Sequence, residues 1–89
     1  MNCENSLQPG QFVRALAGRD KDNIFIVVGI SGDYVYIADG RRRKAESPKL
    51  KNVKHLQKYN RICTSVNEIL VKGELPENSL IRKEIEGIK

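Results

Sequence analysis

The chain has little of what membrane insertion or export requires. Its longest apolar run, residues 24–30, is far shorter than the roughly 20 residues of a bilayer-spanning helix. The N-terminal stretch MNCEN has neither a basic start nor an apolar segment, so no export signal is visible. We therefore expect a cytoplasmic protein with no membrane partner.

Cysteine and histidine are too scarce for the common metal and nucleophilic sites. Cys3 and Cys63 show no paired spacing, and in a cytosolic chain we expect both to be free thiols. His55 is the only histidine, so it lacks a companion for a metal site or a Cys/His pair. The aspartates fall in turn-like segments and form no acid–base constellation. We expect no enzyme, no metal, no cofactor and no small-molecule substrate.

Size and composition are those of a small globular protein. The 89 residues leave room for one domain with a modest core, and 39% of them are hydrophobic while 30% are charged. No internal repeat or low-complexity tract interrupts the chain.

Positive charge is concentrated in one segment. The net charge is +5, yet residues 41–61 carry nine Lys or Arg against one acid, and the flanking segments are each slightly acidic. Clustered cations release the counterions condensed on nucleic acid, so this asymmetry favours a phosphate-binding protein. The alternatives are a basic face that serves solubility and a nuclear import signal.

The first half of the chain has the pattern of β-strands. Residues 12–17 predict a first strand, and residues 24–30 predict a central strand that is covered on both faces because it is apolar on both. Residues 34–38 return as its hairpin partner, and Asp39-Gly40 makes a second tight turn. A short segment with few apolar anchors follows over residues 50–56.

The last third has helical spacing. Ser65 and Glu68 fit a capping box, and Gly73 stands where a helix would end. Past Pro76, apolar residues recur at helical intervals. They are Leu80, Ile81, Ile85 and Ile88. We expect this second helix to pack across the outer face of the central strand; the alternative is that it docks on another protein.

Four stretches together resemble the KOW domain. They are residues 10–20 (GQFVRALAGRD), 26–28 (IVV), 34–43 (YVYIADGRRR) and 51–56 (KNVKHL). The likeness covers about the first two-thirds of the chain. The chain is similar in particular to archaeal and eukaryotic large-subunit ribosomal proteins with this domain, and to small bacterial KOW-domain RNA-binding proteins. The resemblance is specific because the glycine, the hairpin, the arginine cluster and the Lys-His-Leu element occur together.

The resemblance implies a small SH3-like β-barrel that binds structured RNA, often on or near the large ribosomal subunit. Gly18 stands where the family's loop glycine belongs. Many relatives have a second glycine where this chain has Asp22-Asn23, and because asparagine tolerates a left-handed backbone we expect the turn to form. The fold is then mainly β, with one or two C-terminal helices packed on the barrel. The expected divisions are an N-terminal tail over residues 1–8, the barrel over 9–61 and a helical extension over 62–89.

The candidate RNA-binding residues surround the arginine run. Successive strand side chains point to opposite faces, so the cations at 41–44 predict an edge or loop where guanidinium groups grip phosphates. The lysines after them are point charges along the same rim, and His55 packs near a strand end or stacks on a base. The set is Arg19, Lys21, Arg41, Arg42, Arg43, Lys44, Lys49, Lys51, Lys54 and His55.

Tyr34 and Tyr36 allow two interpretations. Tyr34 and Tyr36 share a strand face, and we favour their being covered over their forming a stacking platform, since the neighbouring strand needs shielding.

The overall prediction is non-catalytic binding of structured RNA, above all ribosomal RNA, through a basic rim. The alternative is a protein–protein interaction module of the transcription or translation machinery.

Overall fold

The chain folds as one antiparallel sheet followed by two helices. The computed structural model describes residues 7–89. The elements are β1 (Gln11–Ala15), β2 (Ile24–Ser31), β3 (Tyr34–Ala38), β4 (Lys49–Asn52), a 3-10 turn (Val53–His55), β5 (Leu56–Ile62), α1 (Thr64–Val71) and α2 (Asn78–Ile88). The strand order is β4-β3-β2-β1-β5, with every neighbouring pair antiparallel. The predicted mainly β fold with C-terminal helices is confirmed.

β2 occupies the centre of the sheet, and its first half is buried on both faces, as its apolar pattern predicts, whereas Ile30 near its end is 46% exposed. On one face Phe25 and Val27 belong to a core built from the strands and the start of β5. On the other face Ile26 packs with Ile81 and Ile85 of α2 in a second core. The predicted packing of the C-terminal helix across the central strand is therefore confirmed.

The 3-10 turn joins the two edge strands of the sheet. The backbone N–H of Val53 donates to the Asp33 carbonyl (3.0 Å), and the Leu16 N–H donates to the His55 carbonyl (2.9 Å). The four steps from Asn52 to Leu56 span at most ~14 Å, whereas the edges of a flat five-stranded sheet lie ~19 Å apart. The sheet is therefore curled. Within residues 7–89 no ladder pairs β4 with β5, so a closed barrel stays a prediction.

The strand boundaries differ from the sequence pattern in two places. β1 ends at Ala15 rather than at residue 17, because the Leu16 N–H is taken by the 3-10 turn. The single segment expected over residues 50–56 is divided into β4, the turn and the start of β5. β5 continues to Ile62 although only Leu56 in it is buried, because its backbone pairs with β1. A strand held mainly by backbone pairing shows no alternating apolar pattern in its sequence.

α1 begins earlier than the capping box predicts. Its N-cap is Cys63, which makes no side-chain cap hydrogen bond, and Ser65 lies inside the first turn, so the predicted box is wrong. The Cys63 side chain is buried and its N–H donates to the Gly10 carbonyl (2.7 Å), which ties the helix start to the sheet. Gly73 ends the helix with a left-handed backbone (φ 83°), as predicted.

Part of the predicted N-terminal tail, together with Cys3, lies outside the described residues. Leu7 is partly buried against the strand core, so the packed structure begins before residue 9. No helix within residues 7–89 is long and apolar enough to cross a membrane.

The loop between β1 and β2, residues 16–23, forms its turn without a second glycine. Asp22 takes a positive φ of 72°, so the aspartate, and not Asn23, adopts the left-handed backbone. The Asp22 N–H donates to the Ala15 carbonyl (2.8 Å), and the Ala15 N–H donates to the Asn23 carbonyl (3.0 Å). Gly18 in the same loop is also left-handed, with φ 82°. Backbone hydrogen bonds therefore hold a strained residue in place.

Replacing Asp22 separates backbone strain from side-chain contact. Aspartate tolerates a left-handed backbone better than alanine because its short polar side chain can hydrogen-bond locally, and glycine adopts it without steric cost. Asp22→Ala should therefore lower the free energy of unfolding, whereas Asp22→Gly should preserve or raise it. Urea denaturation measures both, and Asn23→Ala at the next exposed position is the control. Equal losses for both variants would instead implicate the 3.6 Å contact between Arg14 and Asp22.

Candidate nucleic-acid interface

Two charged loops meet at one end of the sheet. The β1–β2 loop and the β3–β4 loop, residues 39–48 and here called the arginine loop, both lie where β1 and β3 end and β2 and β4 begin. The predicted placement of the arginine run in a loop after the Asp39-Gly40 turn is confirmed. The predicted site residues exposed at this end are Arg19, Lys21, Arg41, Arg42 and Lys44, with Arg43 half-buried.

Asp39 gives the arginine loop a defined backbone. Its Oδ1 accepts hydrogen bonds from the N–H groups of Arg41 and Arg43, both at 2.9 Å. The Arg43 carbonyl in turn accepts from the N–H groups of Asp39 (2.8 Å) and Gly40 (3.1 Å). Four hydrogen bonds within five residues close the loop on itself. The Asp39 carboxylate thus has its partners inside the loop. The turn role predicted for aspartate here consists of these two hydrogen bonds to the backbone.

The N-terminal half of α2 makes hydrogen bonds to the arginine loop. The Asn78 Oδ1 accepts from the Ala45 N–H (2.8 Å), and the Asn78 Nδ2 donates to the Glu46 carboxylate (3.0 Å), which lowers the pKa of Glu46. The Arg82 guanidinium donates to the Gly40 carbonyl (2.7 Å). Sequence reasoning missed Asn78 and Arg82, since nothing local signals a partner more than thirty residues away.

Gly40 permits this close approach. Its φ is 79°, and a Cβ there would lie 2.5 Å from the Asn78 carbonyl oxygen and 2.9 Å from Cγ of Arg82. Any larger residue would push α2 away from the loop. The turn glycine predicted from sequence therefore has a second role, as the contact point between loop and helix.

The cations of the arginine loop are available to an outside anion. Within residues 7–89 the side chains of Arg41, Arg42 and Lys44 make no hydrogen bond or ion pair. Guanidinium groups match phosphate oxygens in a bidentate fork. The loop thus presents unpaired positive charge on a backbone that is already ordered.

Lys49 and Lys51, in contrast, have partners inside the protein. The Lys49 Nζ lies 2.6 Å from the Asp20 carboxylate, which is only 7% exposed as a residue, and this hydrogen bond lowers the pKa of Asp20. The Lys51 Nζ donates to the Ala17 carbonyl (3.3 Å). Both lysines connect the edge strand β4 to the β1–β2 loop. Each is a predicted site residue whose ammonium group is already engaged.

The remaining bases of the 41–61 segment are spread along the sheet. Lys54 and His55 are exposed on the 3-10 turn, whose His55 carbonyl bonds to the β1–β2 loop. Arg61 lies at the far end, since its neighbour Ile62 pairs with Gln11 at the start of β1. The bases of residues 41–61 therefore do not all lie on one patch. The strand β5 carries its last basic residue away from the arginine loop.

The free cysteine of the described residues lies at the start of α1, at the end of the sheet opposite the arginine loop. Cys63 is a free thiol, and burial raises its pKa, which keeps it protonated and poorly nucleophilic. Within residues 7–89 no group of three or more His, Cys, Asp or Glu side chains is placed to hold a metal ion.

Tyr34 and Tyr36 are exposed, contrary to the expectation that they are covered. They are 45% and 38% exposed, and Leu50, which pairs with Tyr36 across the strands, is 50% exposed. The helices cover the same face only near Ala38, which belongs to the helix-side core. Tyr34, Tyr36 and Leu50 form an open apolar surface, here called the tyrosine patch.

No family model matches the chain, and no curated protein matches it.

Asn78→Ala should loosen the arginine loop. The change removes the acceptor of the Ala45 N–H, and because Ala45 is only 2% exposed, an unpaired donor there costs about 1–3 kcal/mol. We expect a lower free energy of unfolding and faster amide hydrogen exchange at Ala45, measured by NMR. Ser79→Ala, at the next exposed position, is the control. Unchanged exchange at Ala45 would contradict the role of Asn78.

The ion pair between Lys49 and Asp20 should make stability depend on pH. The pKa of Asp20 in the folded protein lies below its unfolded value of about 3.9, so the stabilisation is complete above that pH and disappears as the pH falls through the lowered pKa. Lys49→Met should lower the free energy of unfolding at neutral pH by about 1.5–3 kcal/mol. The difference from wild type should narrow in acid, as measured by urea denaturation across a pH series.

The control for this experiment is Arg14→Met, which removes an exposed contact of 3.6 Å with Asp22. Exposed pairs contribute about 0–1 kcal/mol, so this variant should differ less from wild type at neutral pH. A Lys49→Met difference that persists unchanged into acid would rule out the ion pair as its cause.

Proposed function

We propose that this chain binds structured RNA without catalysing a reaction, with ribosomal RNA as its expected partner and the large ribosomal subunit in the cytoplasm as its expected place. The observation that carries the proposal is the arginine loop. Arg41, Arg42 and Lys44 have no internal partner within residues 7–89, while Asp39 and α2 order the backbone beneath them. An ordered backbone reduces the entropy lost when phosphates bind.

We further propose that the curled sheet is an SH3-like barrel of the KOW type. Its support is the strand order, with a 3-10 turn joining the two edge strands. The side-chain links from Lys49 and Lys51 to the β1–β2 loop connect the β4 edge across the opening of the curl. In this fold the arginine loop and the β1–β2 loop lie together at one mouth of the barrel, where they contact the RNA.

The proposed interface is smaller than the sequence predicts. Arg19 and Lys21 extend the interface onto the β1–β2 loop. Lys54 and His55 lie on the 3-10 turn, beside the start of the β1–β2 loop. Lys49 and Lys51 act mainly in holding the sheet edge, because their ammonium groups are engaged. The exposed cations suit recognition of RNA shape and backbone, since they contact phosphates and not base edges.

The second candidate function is a protein–protein interaction module of the transcription or translation machinery. The tyrosine patch favours it, because an open surface of aromatic and aliphatic side chains is a common feature of docking sites. The apolar stripe of α2 does not favour it, since Ile81 and Ile85 are buried against the sheet. A protein partner would then meet the patch and not the helix.

Salt dependence tests RNA binding. If about five phosphates are neutralised, log K should fall with log salt at a slope of roughly −3.5 to −4.5, depending on strandedness. Arg41→Gln/Arg42→Gln should weaken binding and make the slope shallower by about 1.4–1.8. Filter binding to ribosomal RNA across a salt series measures both. The matched control is Lys72→Gln/Lys83→Gln, which removes the same charge at exposed positions outside the loops.

A slope near zero, or equal losses for the two double variants, would reject the arginine loop as the RNA site. Leu50→Ser separates the second candidate, because it alters the tyrosine patch without changing the net charge. A protein partner retained by Arg41→Gln/Arg42→Gln and lost by Leu50→Ser would favour the interaction module. Co-sedimentation with ribosomal subunits at low and high salt then distinguishes a resident protein from a transient factor.

A further inference from the structure

A groove of about 640 Å³ lies between the arginine loop and α2. Arg41 and Arg42 form one wall, and Arg82, Ile85 and Glu86 of α2, with Lys89 just beyond the helix, form the other. Asp22 and Asn23 of the β1–β2 loop close one end. The volume is in the range of sites that hold a small ligand, about 300–1,000 Å³. Three separate parts of the chain thus converge on one concave surface beside the proposed RNA contacts.

The charges in the groove are arranged to receive an anion. Two of its carboxylates are engaged, Asp39 with the loop backbone and Glu86 with Lys89 at 3.1 Å, and the third, Asp22, is an exposed side chain 3.6 Å from Arg14. The guanidinium groups of the loop wall have no partner within residues 7–89. A phosphate entering here would meet unpaired cations without displacing an internal ion pair.

The floor of the groove is apolar, which a phosphate alone does not need. Ile24 is partly buried and Ile85 is 5% exposed, and both line the groove. Beside them the Asn23 side chain makes no hydrogen bond within the described residues, so its amide can both donate and accept. An apolar floor with a polar edge and flanking cations matches the chemistry of a nucleotide, which combines a flat ring, a hydrogen-bonding edge and a phosphate.

We propose that this groove holds one unpaired nucleotide of the bound RNA, with its phosphate on Arg41 and Arg42 and its base over Ile24 and Ile85. The inference rests on the proposed function and narrows it to RNA that carries a bulged or looped nucleotide. A base inside a helix is stacked and paired, and cannot enter a groove of this kind without leaving the stack.

Two hairpins that differ by a single unpaired nucleotide test the inference. Wild type should bind the bulged hairpin about tenfold more tightly than the fully paired one, within the range that holding one base provides. Asn23→Phe places a ring in the groove and should abolish this preference, so that the two hairpins bind with equal affinity. Ser79→Phe, on an exposed position of α2 outside the groove, is the matched control.

Methyl NMR gives a second measurement that needs no variant. The Ile24 and Ile85 methyl signals should shift on titration with the bulged hairpin and not with the paired one. Equal, salt-dependent binding of both hairpins, with no methyl shift, would overturn the groove inference and leave RNA binding intact. Binding of neither hairpin would reject the proposed function itself. Methyl shifts caused only by a phosphoserine peptide would overturn the nucleotide assignment in favour of an acidic protein segment.

Discussion

β2 presents apolar side chains to both faces of the sheet, and both faces must be removed from water. Curling of the sheet covers Phe25 and Val27, while the C-terminal helices cover Ile26. Because α2 lies across this second face, its N-terminal half reaches the start of the β3–β4 connection. Burial of β2 therefore determines where α2 lies, and α2 determines how the arginine loop is ordered. Stability and the proposed binding surface depend on the same packing.

The sequence predicts most of the elements because their signals are local. The doubly apolar pattern of β2, the hairpin to β3 and the helical spacing of the C-terminal isoleucines each lie within one short window. Gly73 ends α1 as its position indicates, since few other residues adopt that backbone without strain. Turn chemistry likewise predicts that the arginine run follows a tight bend. In each case the residues that carry the information are neighbours in the chain.

The features that sequence reasoning missed depend on distant partners. Asn78 caps the arginine loop, and Lys49 is engaged by Asp20, yet neither pairing leaves a periodicity or motif. Charge counting treats all lysines of a segment alike, whereas a nearby carboxylate decides which of them stay available. The exposure of Tyr36 is a similar case, because it depends on how far the helices extend over the sheet.

The shortness of β4 has a consequence for solubility. As an outer strand of an unclosed sheet it exposes backbone donors and acceptors that could recruit a strand from another molecule. It has only four residues, two of them lysines, and it leads at once into the 3-10 turn. Charge and brevity at a sheet edge are the means by which natural proteins prevent such intermolecular β-pairing. The residues that hold this edge to its neighbouring loop thereby also protect the protein from self-association.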